Sequence, residues 1–210
     1  MSLELQLDKG VSTLGIVLPK GAVSRLLQYL GLIEKWGKVY NLTAISKPEA
    51  MLSLHVLDSL AILPHISGPL LADVGSGAGL PGVPLALARP DWHVVLFESN
   101  HKKAIFLRQV CIELNLKNIE VIAERVEGFI PEEMFDTVIS RAFSGLAEYV
   151  QQAGHLCKEG YKGGVIVAMK GERPREELVQ IPGRFVINKI FPVMVPGLSV
   201  KRHLVFIGRN

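Results

Sequence analysis

The residues best suited to chemistry in this chain of 210 residues form one glycine-rich loop with an acid before it, Asp73-Val74-Gly75-Ser76-Gly77-Ala78-Gly79. Three glycines at alternate positions let the backbone turn sharply and approach a ligand without obstruction by side chains. The apolar run around the acid, PLLADVG, is typical of a buried strand. Because ligands bind beyond the carboxyl ends of the strands in open parallel sheets, this loop is predicted to bind a ligand.

The spacing and charge of the loop favour one class of ligand over another. Gly75, Gly77 and Gly79 give G-x-G-x-G, whereas the pyrophosphate fingerprint of dinucleotide enzymes is G-x-G-x-x-G. Asp73 would repel a diphosphate, but its carboxylate suits a ligand that carries a cationic amine and a sulfonium. The loop therefore argues against a nicotinamide dinucleotide.

Two later segments supply groups for an adenosine. Glu98 ends the second strand-like run, HVVLFES, where a carboxylate can accept hydrogen bonds from both ribose hydroxyls; a solvent-exposed acid is the alternative. After the third strand-like run, the backbone of Val126 and a nearby carboxylate are placed to meet the adenine edge, unless they only begin a charged helix. Asp73, the glycines and Glu98 together make S-adenosylmethionine the predicted cofactor.

The rest of the chain is predicted to hold these loops at one edge of a sheet. From Leu70 onward short apolar runs alternate with helical segments, which predicts an α/β fold with a doubly wound, mostly parallel sheet. The last two strand-like runs, FVINKIF and RHLVFIG, are joined by too few residues for a crossover helix, so they should pair antiparallel. This layout is typical of the class I S-adenosylmethionine-dependent methyltransferase fold. One of its helices is expected from Leu146 to Cys157.

The first part of the chain is predicted to be helical. The apolar residues of AVSRLLQYLGLIEKWGKVY recur at intervals of three and four, as on one face of a helix. Another helix should begin with Ser46 as its cap, Pro48 in its first turn and Glu49 completing a capping box. Residues 1–65 are therefore expected to form an N-terminal helical cap on a methyltransferase domain of residues 66–210, packed as one globular unit.

Composition argues against several classes of protein. Although 49% of the residues are hydrophobic, no apolar run approaches the roughly 18–20 residues that span a bilayer. The segment MSLELQLDKG lacks the pattern of a secretory signal. Cys111 and Cys157 match no metal-ligand spacing and the 6 histidines are scattered, so no metal is expected. We expect a cytoplasmic protein without a membrane partner.

Positive charge is concentrated in the last part of the chain. Residues 150–210 contain 10 basic and 4 acidic residues, against 13 basic and 16 acidic in residues 1–149. This surplus could face a polyanion such as nucleic acid, or it could be an ordinary solvated surface.

Several segments, taken together, resemble the bacterial small-subunit ribosomal RNA guanine-N7 methyltransferases, the glucose-inhibited division protein B family. The resemblance covers most of the chain, from about Leu26 to Lys170. Its segments are YNLTAI from Tyr40, His55 with Asp58-Ser59-Leu60, DVGSGAGLPGVPLA, Glu98-Ser99-Asn100-His101-Lys102-Lys103, FLRQV, Arg125-Val126-Glu127, Phe135-Asp136, Ser140-Arg141-Ala142-Phe143 and Met169-Lys170-Gly171. The DVGSGAGLPG loop followed by FLRQV and SRAF is the most specific combination. Glu98 stands where the family often has Asp, and His101 stands where it often has Gly.

The resemblance implies a reaction and a set of residues. The reaction is transfer of a methyl group from S-adenosylmethionine to N7 of one guanine in 16S ribosomal RNA, within the small ribosomal subunit or an assembly intermediate. By position, the cofactor would meet Gly75, Leu80, Val126, Glu127 and Arg141. Asp73, Gly77 and Glu98 join this set from the reasoning above.

The chemistry of guanine N7 suggests what the acceptor side must do. N7 already carries an in-plane lone pair, so no base is needed, and orientation of the ring is the main catalytic contribution. We therefore expect Arg125, Arg141 and Lys170 to position RNA phosphate or base. Asn41 and His55 are expected to line the acceptor side.

Each of these assignments has an alternative. Arg141 could pair with Asp136 or Glu127, and His55, on an apolar helical face, could be a core histidine. At the level of function, the alternatives are a small-molecule methyltransferase or a nicotinamide oxidoreductase on the same fold, and a non-catalytic RNA-docking protein.

Overall fold

A computed structural model of the chain describes residues 1–141, 143, 145–159, 163–199 and 201–209, with the backbone alone at Lys38. Ala142 of the SRAF motif therefore lies outside the described residues. Within the described part, the strands are β1 (Leu70–Val74), β2 (His93–Phe97), β3 (Ile119–Ile122), β4 (Thr137–Arg141), β5 (Val165–Lys170), β6 (Phe185–Val193) and β7 (Arg202–Arg209).

These strands form one sheet in the order β3-β2-β1-β4-β5-β7-β6. The pairs among β1 to β5 are parallel, whereas β7 runs antiparallel to both β5 and β6. The order in which strands are added to the sheet reverses between β1 and β4, so the loops after β1, β2 and β4 meet at one edge of the sheet. The predicted parallel sheet with a terminal antiparallel hairpin is confirmed.

Helices precede and cover this sheet. They are α1 (Leu3–Thr13), α2 (Ala22–Tyr40), α3 (Pro48–Met51), α4 (Asp58–Leu60), α5 (Gly82–Ala88), α6 (His101–Glu113), α7 (Leu146–Ala153) and α8 (Arg175–Leu178). A π-helix, Leu52–Leu57, joins α3 to α4, and 3-10 turns lie at Leu63–His65, Val126–Gly128 and Gly154–Leu156. The helix predicted to reach Cys157 is shorter than expected, because α7 ends where the chain tightens into the turn at Gly154–Leu156.

The predicted capping box at Ser46 is wrong. The residue that caps α3 is Lys47, in extended conformation with φ −79° and ψ 126°, and no side chain caps the helix. Lys47 precedes Pro48, and a residue before proline is pushed out of the helical region. The helix therefore begins one residue later than the capping box requires, which moves Glu49 out of the position opposite the cap.

The start of α6 has the cap that its sequence allows. Asn100 is extended, and its side-chain oxygen accepts hydrogen bonds from the N–H groups of Lys102 and Lys103. Amide oxygens at this position satisfy N–H groups that have no partner within the helix. His101, where the family often has glycine, is accommodated as the first helical residue.

Alternate residues of the strands pack into two apolar cores. On β1, Leu71 belongs to a core shared with α1, α2, α5, α6 and the π-helix, whereas Ala72 faces a second core that contains α7. This alternation follows from the period of two along a strand. The N-terminal helices thus share one core with the sheet. In the described part of the chain, no helix combines the length and apolarity needed to cross a membrane.

Candidate active site

The glycine loop after β1 adopts a conformation that needs its glycines. Gly75, Gly77 and Gly79 have φ values of 72°, 59° and 93°, in the region that side chains disfavour. A Cβ atom at Gly79 would lie 2.6 Å from Val83 Cγ2. The N–H groups of Gly75 and Ser76 donate to the carbonyl of the residue that ends β2, at 2.9 and 3.1 Å. The loop is therefore held against the end of β2. Leu80 lies just beyond it, with its side chain buried.

The carboxyl group of Asp73 lies beneath this loop and is fully buried. Its Oδ2 accepts a hydrogen bond from the Gly82 N–H at 2.8 Å, and its Oδ1 has no hydrogen-bond partner among the described residues. Burial raises the pKa of Asp73 to about 7, against the opposing effect of the Gly82 hydrogen bond. Oδ1 is an unused acceptor beneath the loop. The sequence was expected to place this carboxylate against a ligand, but the side chain is fully buried and lines neither of the clefts described below.

Glu98 connects the glycine loop to the start of α6 through hydrogen bonds. Its side chain is almost buried, and its two oxygens accept hydrogen bonds from different backbone groups: Gly77 N at 2.7 Å and Asn100 N at 2.8 Å. A carboxylate oxygen can accept more than one hydrogen bond, so both oxygens keep capacity for a ribose hydroxyl. Glu98 and Gly77, which the sequence placed in one site, are in direct contact.

A cleft of about 200 Å³ opens beside this loop. It is lined by Val74, Gly75, Phe97, Ser99, Glu124, Arg125, Val126, Glu127, Phe143 and Gln152. The predicted residues Gly75, Arg125, Val126 and Glu127 thus come together in it, and we call it the adenosine cleft after the ligand group expected there from the sequence. Arg125 Nη1 lies 3.9 Å from Glu127 Oε1, but its side chain is 81% exposed, so the pair is loose.

Six residues that line the adenosine cleft were not among the predicted site residues: Val74, Phe97, Ser99, Glu124, Phe143 and Gln152. Phe97 and Ser99 flank Glu98, so the strand-end position was the available signal. Gln152 lies on α7, which passes the cleft only because of the way that helix packs on the sheet. No local motif marks it.

A second cleft, of about 350 Å³, lies at the carboxyl ends of β4 and β5. It is lined by Ile45, Leu54, His55, Asp58, Arg141, Met169, Lys170, Gly171 and Arg202. We call it the acceptor cleft, after the acceptor side to which the sequence assigned His55. His55 was predicted to line the acceptor side and Arg141 and Lys170 to position RNA, and the structure brings these three together. Arg125, predicted to position RNA with them, lines the other cleft instead. Asn41, which was also predicted to line the acceptor side, is exposed and lines neither cleft. It follows the last residue of α2 and has a left-handed backbone conformation.

Arg141 is fixed by the helical segment before β1. Its Nη1 donates to the Leu54 carbonyl at 2.9 Å and lies 3.3 Å from Asp58 Oδ2. The alternative partners, Asp136 and Glu127, are not its partners. Asp136 instead accepts a 2.7 Å hydrogen bond from Lys158, and Glu127 lies near Arg125 in the adenosine cleft. The side chain of Arg141 is 23% exposed and lines the acceptor cleft.

Asp58 was part of the recognised motif but was not assigned to the site. It is 3% exposed, and its Oδ1 accepts a hydrogen bond from Arg202 Nε at 2.9 Å. Arg202 begins β7 and was not predicted at all. The signal for Asp58 was its spacing of three from His55, which puts both side chains on one helical face.

His55 is buried on the π-helix. Its Nε2 lies 3.0 Å from Thr43 Oγ1, and its Nδ1 has no hydrogen-bond partner within the described residues. Burial, reinforced by the charge of Arg141, lowers the pKa of His55 to about 4. The imidazole is therefore neutral near pH 7, and the acceptor cleft gains no positive charge from it.

Lys170 is held by an ion pair. Its Nζ donates to Glu177 Oε2 at 2.7 Å and to the Phe143 carbonyl at 3.1 Å, and its side chain is only 12% exposed. Because Phe143 lines the adenosine cleft and Lys170 lines the acceptor cleft, this hydrogen bond lies between the two. Among the described residues, no group of three or more His, Cys, Asp and Glu side chains is arranged to hold a metal ion.

Comparison with known proteins gives the family. The family model described as rRNA small subunit methyltransferase G matches residues 22–205. Ribosomal RNA small subunit methyltransferase G of Nitrosospira multiformis is 58% identical over 100% of this chain and 99% of the relative. The protein of the same name from Nitrosomonas eutropha is 51% identical over 98% of this chain and 97% of the relative.

A solved structure supports the fold. TrmN from Thermus thermophilus superposes with a TM-score of 0.57 at 17% identity, covering 90% of this chain and 53% of that one. At this identity the likeness concerns the fold alone, and it agrees with the predicted class I methyltransferase architecture. From the match over residues 22–205 and the identities to its relatives, the chain belongs to the rRNA small subunit methyltransferase G family.

Proposed function

We propose that this chain transfers a methyl group from S-adenosylmethionine to N7 of a specific guanine in 16S ribosomal RNA. The observation that carries the proposal is the adjacency of the two clefts, joined by the 3.1 Å hydrogen bond from Lys170 to the Phe143 carbonyl. A cofactor in one cleft and a base in the other would meet at the carboxyl ends of the strands. The family membership supports the choice of ribosomal RNA as acceptor.

The residues around the adenosine cleft suit S-adenosylmethionine. When bound, the cofactor supplies an activated methyl group on a sulfonium. The residues predicted to hold it are Asp73, Gly75, Gly77, Leu80, Glu98, Val126, Glu127 and Arg141. Of these, Gly75, Val126 and Glu127 line the adenosine cleft, whereas Arg141 lines the acceptor cleft. Among the predicted residues, the spare acceptor capacity of Glu98 fits the ribose. The Asp73 side chain is fully buried, so it would act through the loop that it holds at Gly82.

On the acceptor side, the chain would orient the base rather than activate it. Guanine N7 attacks with its own lone pair, and the product ring is cationic, so a neutral His55 avoids adding repulsion. Arg141 faces the acceptor cleft and would donate to guanine O6 or to phosphate, while Lys170 forms the cleft wall. Arg125, which is exposed beside the adenosine cleft, and Asn41, exposed at the end of α2, would contact RNA.

The substrate proposed is the small ribosomal subunit or an assembly intermediate, in the cytoplasm. A-form RNA hides N7 in a deep, narrow groove, so the target guanine must be unpaired or turned outward. We therefore expect naked 16S RNA to be a poor substrate. Equal rates on naked RNA and on subunits would contradict this part of the proposal.

The test uses small subunits from a strain that lacks this gene. These are incubated with the purified protein and methyl-labelled S-adenosylmethionine, and the labelled nucleotide is mapped by mass spectrometry. Label at one guanine, as N7-methylguanine, is the expected result. If the protein binds the cofactor but no label enters the RNA, ribosomal RNA is not the acceptor, and a small-molecule substrate is favoured. Arg141→Ala is the matched variant, and normal activity and cofactor affinity in it would exclude Arg141 from the site.

A further inference from the structure

Glu177 connects three parts of the chain through one oxygen atom. Its Oε2 accepts hydrogen bonds from Lys170 Nζ at 2.7 Å and from the Leu146 N–H at 2.9 Å. Lys170 ends β5, Leu146 begins α7, and Glu177 itself lies on α8. A carboxylate at the first turn of a helix also complements the positive end of the helix dipole.

The partners of Glu177 belong to both clefts. Lys170 lines the acceptor cleft, and it also donates to the carbonyl of Phe143, which lines the adenosine cleft. Leu146 is fully packed in the second apolar core, so the start of α7 provides a rigid anchor for the carboxylate. Glu177 therefore fixes the lysine and the backbone that lie between the two clefts.

We propose that Glu177 is a positioning residue that aligns the methyl donor with its acceptor, by fixing Lys170 and the chain at Phe143. This inference rests on the proposed function, because in-line methyl transfer depends on the relative placement of the two ligands. Misplacement by about 1 Å can lower a rate by about 100-fold. Without the carboxylate, Lys170 Nζ and the Leu146 N–H both lose their acceptor. Lys170, and through it the chain at Phe143, is then no longer held in place between the two clefts.

The experiment compares Glu177→Gln with the wild type. The variant keeps the size of the side chain and removes its charge. With saturating cofactor and small subunits, we expect kcat to fall by about 10- to 100-fold. The Kd for S-adenosylmethionine, measured by calorimetry, and the KM for subunits should change by less than about threefold. This split is not expected of a residue that only stabilises the fold.

Glu176→Gln is the matched control. Glu176 is the preceding residue on the same short helix, is exposed, and has no ion pair within the described residues. It should retain wild-type kcat. Wild-type kcat in Glu177→Gln would overturn the proposal, as would an increase, which would mean that Glu177 obstructs Lys170. Absence of label in the wild type would instead overturn the proposed function, so the two failures are distinguishable.

Two further variants test the route through Lys170. Adding Glu177→Gln to Lys170→Met should cost less than the product of the two single effects, since both remove one ion pair. Fully multiplicative effects would contradict the proposal. Glu177→Asp restores the charge on a shorter side chain, and kcat should recover part of the way. If Glu177→Gln does not fold, Glu177→Asp tests the proposal instead. A wild-type kcat together with a wild-type melting temperature in Glu177→Asp would contradict the positioning role of Glu177.

Discussion

Asp58 and Arg202 are 144 residues apart in the chain, yet Asp58 Oδ1 accepts a hydrogen bond from Arg202 Nε at 2.9 Å. The other carboxylate oxygen of Asp58 lies 3.3 Å from Arg141. One buried carboxylate in the helical segment before β1 therefore holds two guanidinium groups, from β4 and β7. This arrangement builds the wall of the acceptor cleft from distant parts of the chain.

Replacing Asp58 with Asn should destabilise the fold. The change removes the charge that compensates two arginines, whose side chains are each about a fifth exposed, so we expect the free energy of unfolding to fall by about 1–3 kcal/mol. Urea denaturation measures it. Asp91→Asn is the control, because Asp91 pairs with Arg89 while its side chain is 60% exposed, and it should cost about 0–1 kcal/mol. Equal effects at both positions would show that burial of Asp58 contributes nothing.

Glu98→Gln should weaken cofactor binding. Gln offers one acceptor oxygen where Glu98 uses two, so either the Gly77 or the Asn100 N–H loses its partner and the glycine loop loosens. Loss of one hydrogen bond to a charged group corresponds to about a tenfold or greater rise in Kd for S-adenosylmethionine. Calorimetry with the purified protein measures this, with the exposed Glu132→Gln as control. An unchanged Kd would remove Glu98 from the cofactor site.

Asp73 should make stability depend on pH. Its pKa in the folded protein is about 7, above the usual 3.8, so between these values the folded state binds the proton more tightly than the unfolded chain. Stability from this group therefore falls as pH rises through that window. As the pH rises from 5 to 8, the free energy of unfolding of cofactor-free Asp73→Asn should increase by on the order of 2 kcal/mol relative to that of the wild type. Urea unfolding at both pH values checks it, and a constant difference would mean an ordinary pKa.

His55 should titrate in the opposite sense. Its pKa in the folded protein is about 4, below the usual 6.5, so the unfolded chain binds the proton more tightly between these values. The associated stability is complete above pH 6.5 and is lost as pH falls toward 4. NMR of the imidazole Cε1–H should show no midpoint until near pH 4, with the signal assigned by its absence in His55→Gln. A midpoint near 6.5 would show that the ring is not desolvated as described.

Much of the fold could be predicted because its signals are local. The short apolar runs predicted β1, β2, β6 and β7 within a few residues, and the short connection before β7 predicted the antiparallel hairpin. The glycine loop and Glu98 were predicted together because a strand end determines where both must lie, and the structure joins them at Gly77. The failure at Ser46 was also local: the restriction that Pro48 places on Lys47 outweighed the capping box.

The contacts that organise the clefts were determined only by the tertiary structure. Sequence separation carries no information about which side chains meet across a sheet, so Arg202 gave no signal until β7 was placed beside β5. Burial is likewise a property of the packed protein: Asp73 was expected to face a ligand, yet the loop it precedes folds over it. The charge states of Asp73 and His55 follow from that burial, because a low-dielectric surrounding disfavours ionisation. The amino-acid sequence alone thus determined which chemical groups are available, and the packing of the folded chain decided which of them are paired, neutral or exposed.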